Sequence, residues 1–198
     1  MALRRLIEGV KSNNLKCILI FIDFRKAFDS IHRERMMEIL KAYDIPEKLL
    51  TAIKLMYSNT KARVLSPDGE TELFEIVAGV LQGDTLAPYL FAIVLDYAMR
   101  KALEGKEEEL GFKLERRRSR RHPPVTITDI DFADDIALIA EEIEQAQEML
   151  GRVEVETLKI GLHLNEKKTE VMCYNHDPTP SIKSKNGRVL KVVVNFKY

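Results

Sequence analysis

The chain has 198 residues, 45% of them hydrophobic, which is room for about one domain with a sizeable core and excludes wholesale disorder. Thirty-one Lys+Arg balance 31 Asp+Glu, for a net charge of zero; this excludes a uniformly basic nucleic-acid clamp but not a local basic patch facing an acidic one. Cys17 and Cys173 are too few for a disulfide framework or a zinc cluster, and in their apolar runs they read as buried thiols of a reducing compartment.

Residues 1–12 read as the end of a helix, with Arg4, Arg5 and Glu8 interrupting any signal-peptide core. Residues 16–22 form a short isoleucine-rich run, the pattern of a fully buried strand, closed by Asp23. Ser30 is placed to cap a helix running to about Tyr43, and Pro46 to open a second helix through Tyr57. Residues 61–65 and 71–76 flank Pro67-Asp68-Gly69 as a hairpin. Pro88 begins a long helix ending near Gly105. Residues 104–124 read as a charged inserted loop, acidic at Glu104 to Glu109 and basic at Arg116 to Arg121. Val125 to Ile139 reads as strand, Ala133-Asp134-Asp135 turn, strand, and Glu141 to Ile160 as a helix ended by Gly161. Residues 170–174 and 188–196 look like two more strands. The expected fold is α+β, a mainly antiparallel sheet with helices on one face. No apolar run approaches the ~20 residues that span a bilayer, so a soluble intracellular protein without membrane association is expected, with nucleus and cytoplasm both open. The unfinished look of both ends suggests a piece cut from a longer chain.

The acids are placed unusually. Asp23 closes an apolar strand, and Asp134-Asp135 lies between two others. Carboxylates at the ends of buried strands are costly unless paired or metal-bound. If the first strand lies beside the hairpin, the acids meet, and such a cluster suits two Mg²⁺ ions about 4 Å apart, with Mn²⁺ as a substitute, as in in-line phosphoryl transfer. A bare Asp-Asp pair also reads as an ordinary polar turn, and Asp23 alone as a loop acid. Context decides between these.

Phe132-Ala133-Asp134-Asp135 resembles the [FY]-x-D-D box of reverse transcriptases, and Asp23 to Asp29 resembles their first carboxylate motif. Leu81-Gln82-Gly83-Asp84-Thr85-Leu86-Ala87-Pro88 is similar to the Q-G-x-x-x-[SA]-P motif, Gly161 to Thr169 to the G-L-x-[LV]-N-x-x-K-T segment, and Phe196-Lys197-Tyr198 to the F-x-Y of the primer-grip hairpin. The five occur in family order over nearly the whole chain, and their wording resembles non-long-terminal-repeat, LINE-type retrotransposons.

The resemblance implies that residues 1–198 form a polymerase palm, truncated at both ends, with partial fingers and no thumb. It implies an RNA-directed DNA polymerase that binds an RNA template, a DNA primer and a deoxynucleoside triphosphate. Asp23, Asp134 and Asp135 become the metal ligands, with the Phe24 carbonyl as a neutral one. Phe28 becomes the ring beneath the nucleotide sugar that excludes a ribose 2′-hydroxyl, and Gln82 and Gly83 the turn against the nucleotide and template base. Lys168 becomes the group that protonates or neutralises departing pyrophosphate. The patch of Arg116, Arg117, Arg118, Arg120 and Arg121 offers salt-dependent contacts to template phosphates, a nuclear-import signal, or simply a solvated loop. Two rivals stand beside this reading. One is an RNA-dependent RNA polymerase palm, for which Asp29 supplies a second acid after Asp23. The other is an inactive remnant or RNA-binding protein derived from a reverse transcriptase.

Overall fold

The computed structural model describes residues 2–67, 69–115, 125–177 and 179–196. The first strand, β1 (Cys17–Ile22), is buried at all six positions, because both of its faces are covered. Ile18, Ile20 and Ile22 face the larger core, while Cys17, Leu19 and Phe21 face a smaller one with Leu6 and Val10 of helix α1 (Ala2–Ser12). That alternation is the period of two of an extended chain. It also corrects the expectation of helices on one face only, since α1 covers the second face.

Two short elements follow, α2 (Ala27–Ser30) and α3 (Arg33–Ala42). Ser30 does not cap the longer helix. Its hydroxyl donates back to the Ala27 carbonyl at 3.2 Å, and His32 occupies the position before α3 with no side-chain cap bond. Helix α4 (Glu47–Tyr57) follows Pro46. The hairpin is split into two antiparallel pairs, β2 (Lys61–Ala62) with β5 (Phe74–Glu75), and β3 (Leu65–Ser66) with β4 (Gly69–Glu70). The long helix α5 (Ala87–Leu103) lies against α3 and against the later helix over Ile143–Lys159.

Half of the supposed inserted loop belongs to the core. Helix α6 (Glu107–Leu110) and strand β6 (Phe112–Glu115) bury Leu110 and Phe112, and β6 pairs with β7 (Val125–Ile127). The apolar residues between the charges decide this. Arg116, Arg117, Arg118, Arg120 and Arg121 lie outside the described residues. The strand expected over 125–132 is likewise two, β7 in that small sheet and β8 (Asp129–Phe132) in the main one.

The main sheet has the order β11-β10-β1-β9-β8, with β9 at Asp135–Ala140, β10 at Glu170–Tyr174 and β11 at Lys191–Val192. Its pairings are antiparallel except β10 with β11. The last strand is far shorter than the expected 188–196, which is also interrupted by an isolated bridge between Val189 and Lys183. Helix α7 (Ile143–Lys159) buries Ala146, Met149, Leu150, Val153 and Thr157, a stripe at helical spacing. A capping box starts it: Glu142 accepts from the backbone of Gln145, and the Gln145 side chain accepts from the Glu142 N–H at 3.0 Å. Cys17 is buried and its thiol is pushed up to about 12 by loss of solvent and by Glu141, whereas Cys173 is only half-buried.

The edge strand β8 carries Asp129 and Asp131 on one side. Although part of Asp131 stays open to water, desolvation and the adjacent Asp129 push its carboxyl up to about 7. A carboxyl raised on folding holds its proton better in the folded state. Its full stabilisation is therefore present below the unfolded value near 4, and is lost as pH rises through 7. Asp131→Asn is expected to raise the melting temperature by about 2–4 °C at pH 8 and to leave it unchanged at pH 4, as read by circular dichroism. An equal shift at both pH values would refute this.

Candidate active site

Asp23 stands one residue beyond the register pair Ile22 and Ile136, which puts it opposite Asp135 on the neighbouring strand. By alternation both lie on the face of Phe21, Ala137 and Ile139 rather than in the larger core. A segment 140 residues further on grips Asp23. The Asn165 Nδ2 donates to Asp23 Oδ1 at 2.9 Å, and the Asn165 backbone N–H donates to the Asp23 carbonyl at 2.8 Å. The Asp23 N–H in turn donates to Thr169 Oγ1 at 3.3 Å, and Lys168 Nζ lies 3.7 Å from Asp23 Oδ2. Two further links complete the clasp, an antiparallel bridge from Phe24 to Leu164 and a bond from the Arg25 N–H to the His163 carbonyl. Thr169 is fully buried, which keeps water from competing for the Asp23 amide.

Gly161 starts this segment. Its φ is +91°, and a Cβ there would lie 2.2 Å from the Ser30 carbonyl oxygen and 2.8 Å from the His32 ring. Only glycine lets the chain pass so close to the start of α3.

Asp134 and Asp135 come from the tight turn between β8 and β9. Phe132 pairs with Asp135, leaving Ala133 and Asp134 as a two-residue loop with Ala133 at φ 56°. Both acids are exposed. Desolvation, then the negative charges of Asp134 and Asp23, hold the Asp135 carboxyl above its ordinary range. Carboxylates at the neighbouring ends of β1 and the β8–β9 turn are the donor type that Mg²⁺ accepts, and the negative charge that Asp134 and Asp23 put on Asp135 favours a cation. Among the described residues, however, no three His, Cys, Asp or Glu side chains stand close enough together to enclose an ion. Phe24 is buried in the larger core, so only its backbone faces this chemistry.

Phe28 is half-buried and stacked on the buried Phe91 of α5, with ring centroids 4.5 Å apart and planes 12° apart. The turn carrying Gln82 and Gly83 hangs from the same region. Gly79 donates to the Ile31 carbonyl at 2.8 Å, and Val80 to the Phe28 carbonyl at 2.7 Å. Gly83 has φ +88° and open space where a Cβ would project.

Sequence reasoning missed Asn165 and Thr169 as partners of Asp23, although both stand in the quoted segment. It also missed Arg33, which no motif marks. Arg33 Nη1 donates to the Tyr57 carbonyl, Thr60 Oγ1 and the Ile76 carbonyl, and Nε to the Gly79 carbonyl at 3.0 Å. One side chain thereby ties α3 to the end of α4, to the hairpin and to the turn before Gln82. Burial lowers its pKa from the usual guanidinium value.

Solved structures share this fold. Telomerase from Candida albicans, in complex with a fragment of telomeric RNA, superposes with a TM-score of 0.61 at 14% identity, over 92% of this chain and 32% of that one. Apo telomerase from Candida tropicalis, truncated from its C-terminal domain, gives 0.57 at 16%, over 92% and 37%. The family model for reverse transcriptase (RNA-dependent DNA polymerase) matches residues 2–194, and the chain belongs to that family. The Pol polyprotein of the type-1 retrotransposable element R2 of Nasonia vitripennis is 29% identical over 171 residues, 86% of this chain and 15% of that protein. The type-2 element R2DM of Drosophila melanogaster gives 29% over 153 residues, 77% of this chain and 13% of that one. These relatives place the domain with the reverse transcriptases of non-long-terminal-repeat retrotransposons. The family works with divalent metal ions and a nucleic-acid template. No helix among the described residues is long and apolar enough to cross a membrane.

Proposed function

We propose that this chain is the palm of an RNA-directed DNA polymerase, joining a deoxynucleoside triphosphate to the 3′-hydroxyl of a DNA primer on an RNA template. The observation that carries the reading is that Asp23, at the end of β1, stands opposite Asp135 of the Asp134-Asp135 turn, with Lys168 beside Asp23. Asp23, Asp134, Asp135 and the Phe24 carbonyl would hold two Mg²⁺ ions. Bound there, the ions would lower the pKa of the primer hydroxyl and neutralise charge on the leaving pyrophosphate. The chain's own residues do the rest. Asn165 and Thr169 fix Asp23, Lys168 adds positive charge where phosphate charge develops, and Phe28, locked against Phe91, blocks a 2′-hydroxyl. The chain spans about 15% of the length of its Nasonia relative.

The test is primer extension on an RNA template with deoxynucleotides and Mg²⁺ or Mn²⁺. Metal-dependent extension supports the proposal. A chain that is folded by circular dichroism, yet neither extends a primer nor binds a primer–template, would overturn it for this polypeptide. Faster use of ribonucleotides would move it to the RNA-polymerase class. Asn165→Ala is expected to lower extension about 10–100-fold, the usual cost of removing a side chain that orients a metal ligand. Full activity in this variant would show that Asp23 does not depend on the clasp.

A further inference from the structure

Asp29 lies one residue past Phe28, and the site as described gives it no task. Its carboxylate accepts a hydrogen bond from Gln82 Nε2 at 2.9 Å, and no ion pair involves it among the described residues. The backbones of the two segments are held together without that carboxylate. Gly79 and Val80 donate to Ile31 and Phe28, Arg33 grips the Gly79 carbonyl, and a Cβ at Gly79 would sit 2.6–2.7 Å from the Asp29 backbone. On the far side of the turn, Asp84 Oδ1 accepts from the Leu86 N–H at 3.1 Å. The Asp29 side chain is therefore spare as a fastener. What remains for it is Gln82.

An ionised carboxylate only accepts hydrogen bonds, whereas a glutamine amide has a donating and an accepting end. Asp29 must therefore take the NH₂ end of Gln82, which turns the carbonyl oxygen Oε1 outward. No donor reaches that oxygen among the described residues, and beside it Gly83 leaves open space. We propose that Asp29 is a positioning residue that sets the sense of the Gln82 amide, so that the turn offers the incoming nucleotide a hydrogen-bond acceptor. The inference rests on the polymerase reading for the identity of the ligand, but not for the coupling itself. It joins the sugar-facing ring and the nucleotide-facing amide through consecutive residues, Phe28 and Asp29.

The variants separate orientation from packing. Asp29→Asn keeps the shape and can still bond Gln82, but accepts either sense of its amide. Asp29→Ala removes the bond. In primer extension, both are expected to raise the KM for deoxynucleotide about five- to tenfold, with kcat within about twofold and the melting temperature unchanged. Asp29→Ala combined with Gln82→Ala should be no worse than Gln82→Ala alone. Multiplying effects in the double variant, or wild-type kinetics in Asp29→Asn, would overturn the proposal. If the parent chain extends no primer, the polymerase reading has failed for this polypeptide, and the coupling is read directly. The two Gln82 side-chain amide protons should be separated and slow to exchange in ¹⁵N spectra of the parent, and collapse to free-glutamine positions in Asp29→Ala. Identical spectra would overturn it.

Discussion

Asp134→Ala and Asp23→Asn are each expected to lower primer extension by about a thousandfold or more, about 4 kcal/mol of transition-state stabilisation. Asp23→Asn is the sharper test. Asparagine has the shape of aspartate and still presents an oxygen to Asn165 Nδ2, so the clasp around residue 23 survives. Only the charge is removed. Like charges crowd these strand ends, where Asp134 and Asp23 both raise the Asp135 carboxyl; relief of that repulsion offsets the loss of the long, exposed ion pair to Lys168, so neutralising Asp23 should not destabilise the fold. The expected pair of results is lost extension with an unchanged or higher melting temperature. Retained extension would remove Asp23 from the reaction, and a collapsed melt would make its role structural.

Gly161→Ala carries the largest expected effect on stability. Holding a non-glycine residue at φ +91° costs about 1–2 kcal/mol. The added carbon would also sit 2.2 Å from the Ser30 carbonyl oxygen, and relieving such overpacking costs a further ~1–3 kcal/mol. A total near 3 kcal/mol corresponds to a fall of about 6–12 °C in the melting temperature of a domain this size. The His32 N–H bond to the Ile160 carbonyl, 2.9 Å long, joins α3 to the end of α7 and would be the first to shift. Gly151 is the internal control. It lies inside α7 with nothing within 4 Å of a Cβ, so Gly151→Ala should stabilise by about 0.5–1 kcal/mol. Similar melts for the two variants would refute the steric account.

Much of this fold was legible because its elements carry strong local patterns. The unbroken apolar run of β1, the stripe of α7 and the proline in the first turn of α5 each encode a local preference that packing reinforces. The failures share a cause. Ser30 and His32 are competing starts for α3, and the choice falls to a distant partner, Ile160, which no local pattern reveals. Leu110 and Phe112 are hidden among charges, so their burial was masked by their neighbours. At the site, the acids were readable because aspartates at the ends of apolar strands are unusual and because the motifs around them resemble one family in order; alone, Asp23 reads as a loop acid. Asn165, Thr169, Asp29 and Arg33 are ordinary polar residues until the fold shows what they touch.

The position of β1 has a consequence for how the chain is made. Its six apolar residues are synthesised well before both strands that flank it, which come at residues 135–140 and 170–174. At about 5–20 residues per second, the ribosome needs several seconds or more to deliver the first of them. During that time Cys17–Ile22 has α1 beside it but no hydrogen-bonding neighbour. A short, uncharged, β-prone segment in that state is a template for intermolecular pairing. Synthesis halted after α5 would release a polypeptide with its central strand unpaired, so this domain is expected to depend on chaperones until β9 emerges.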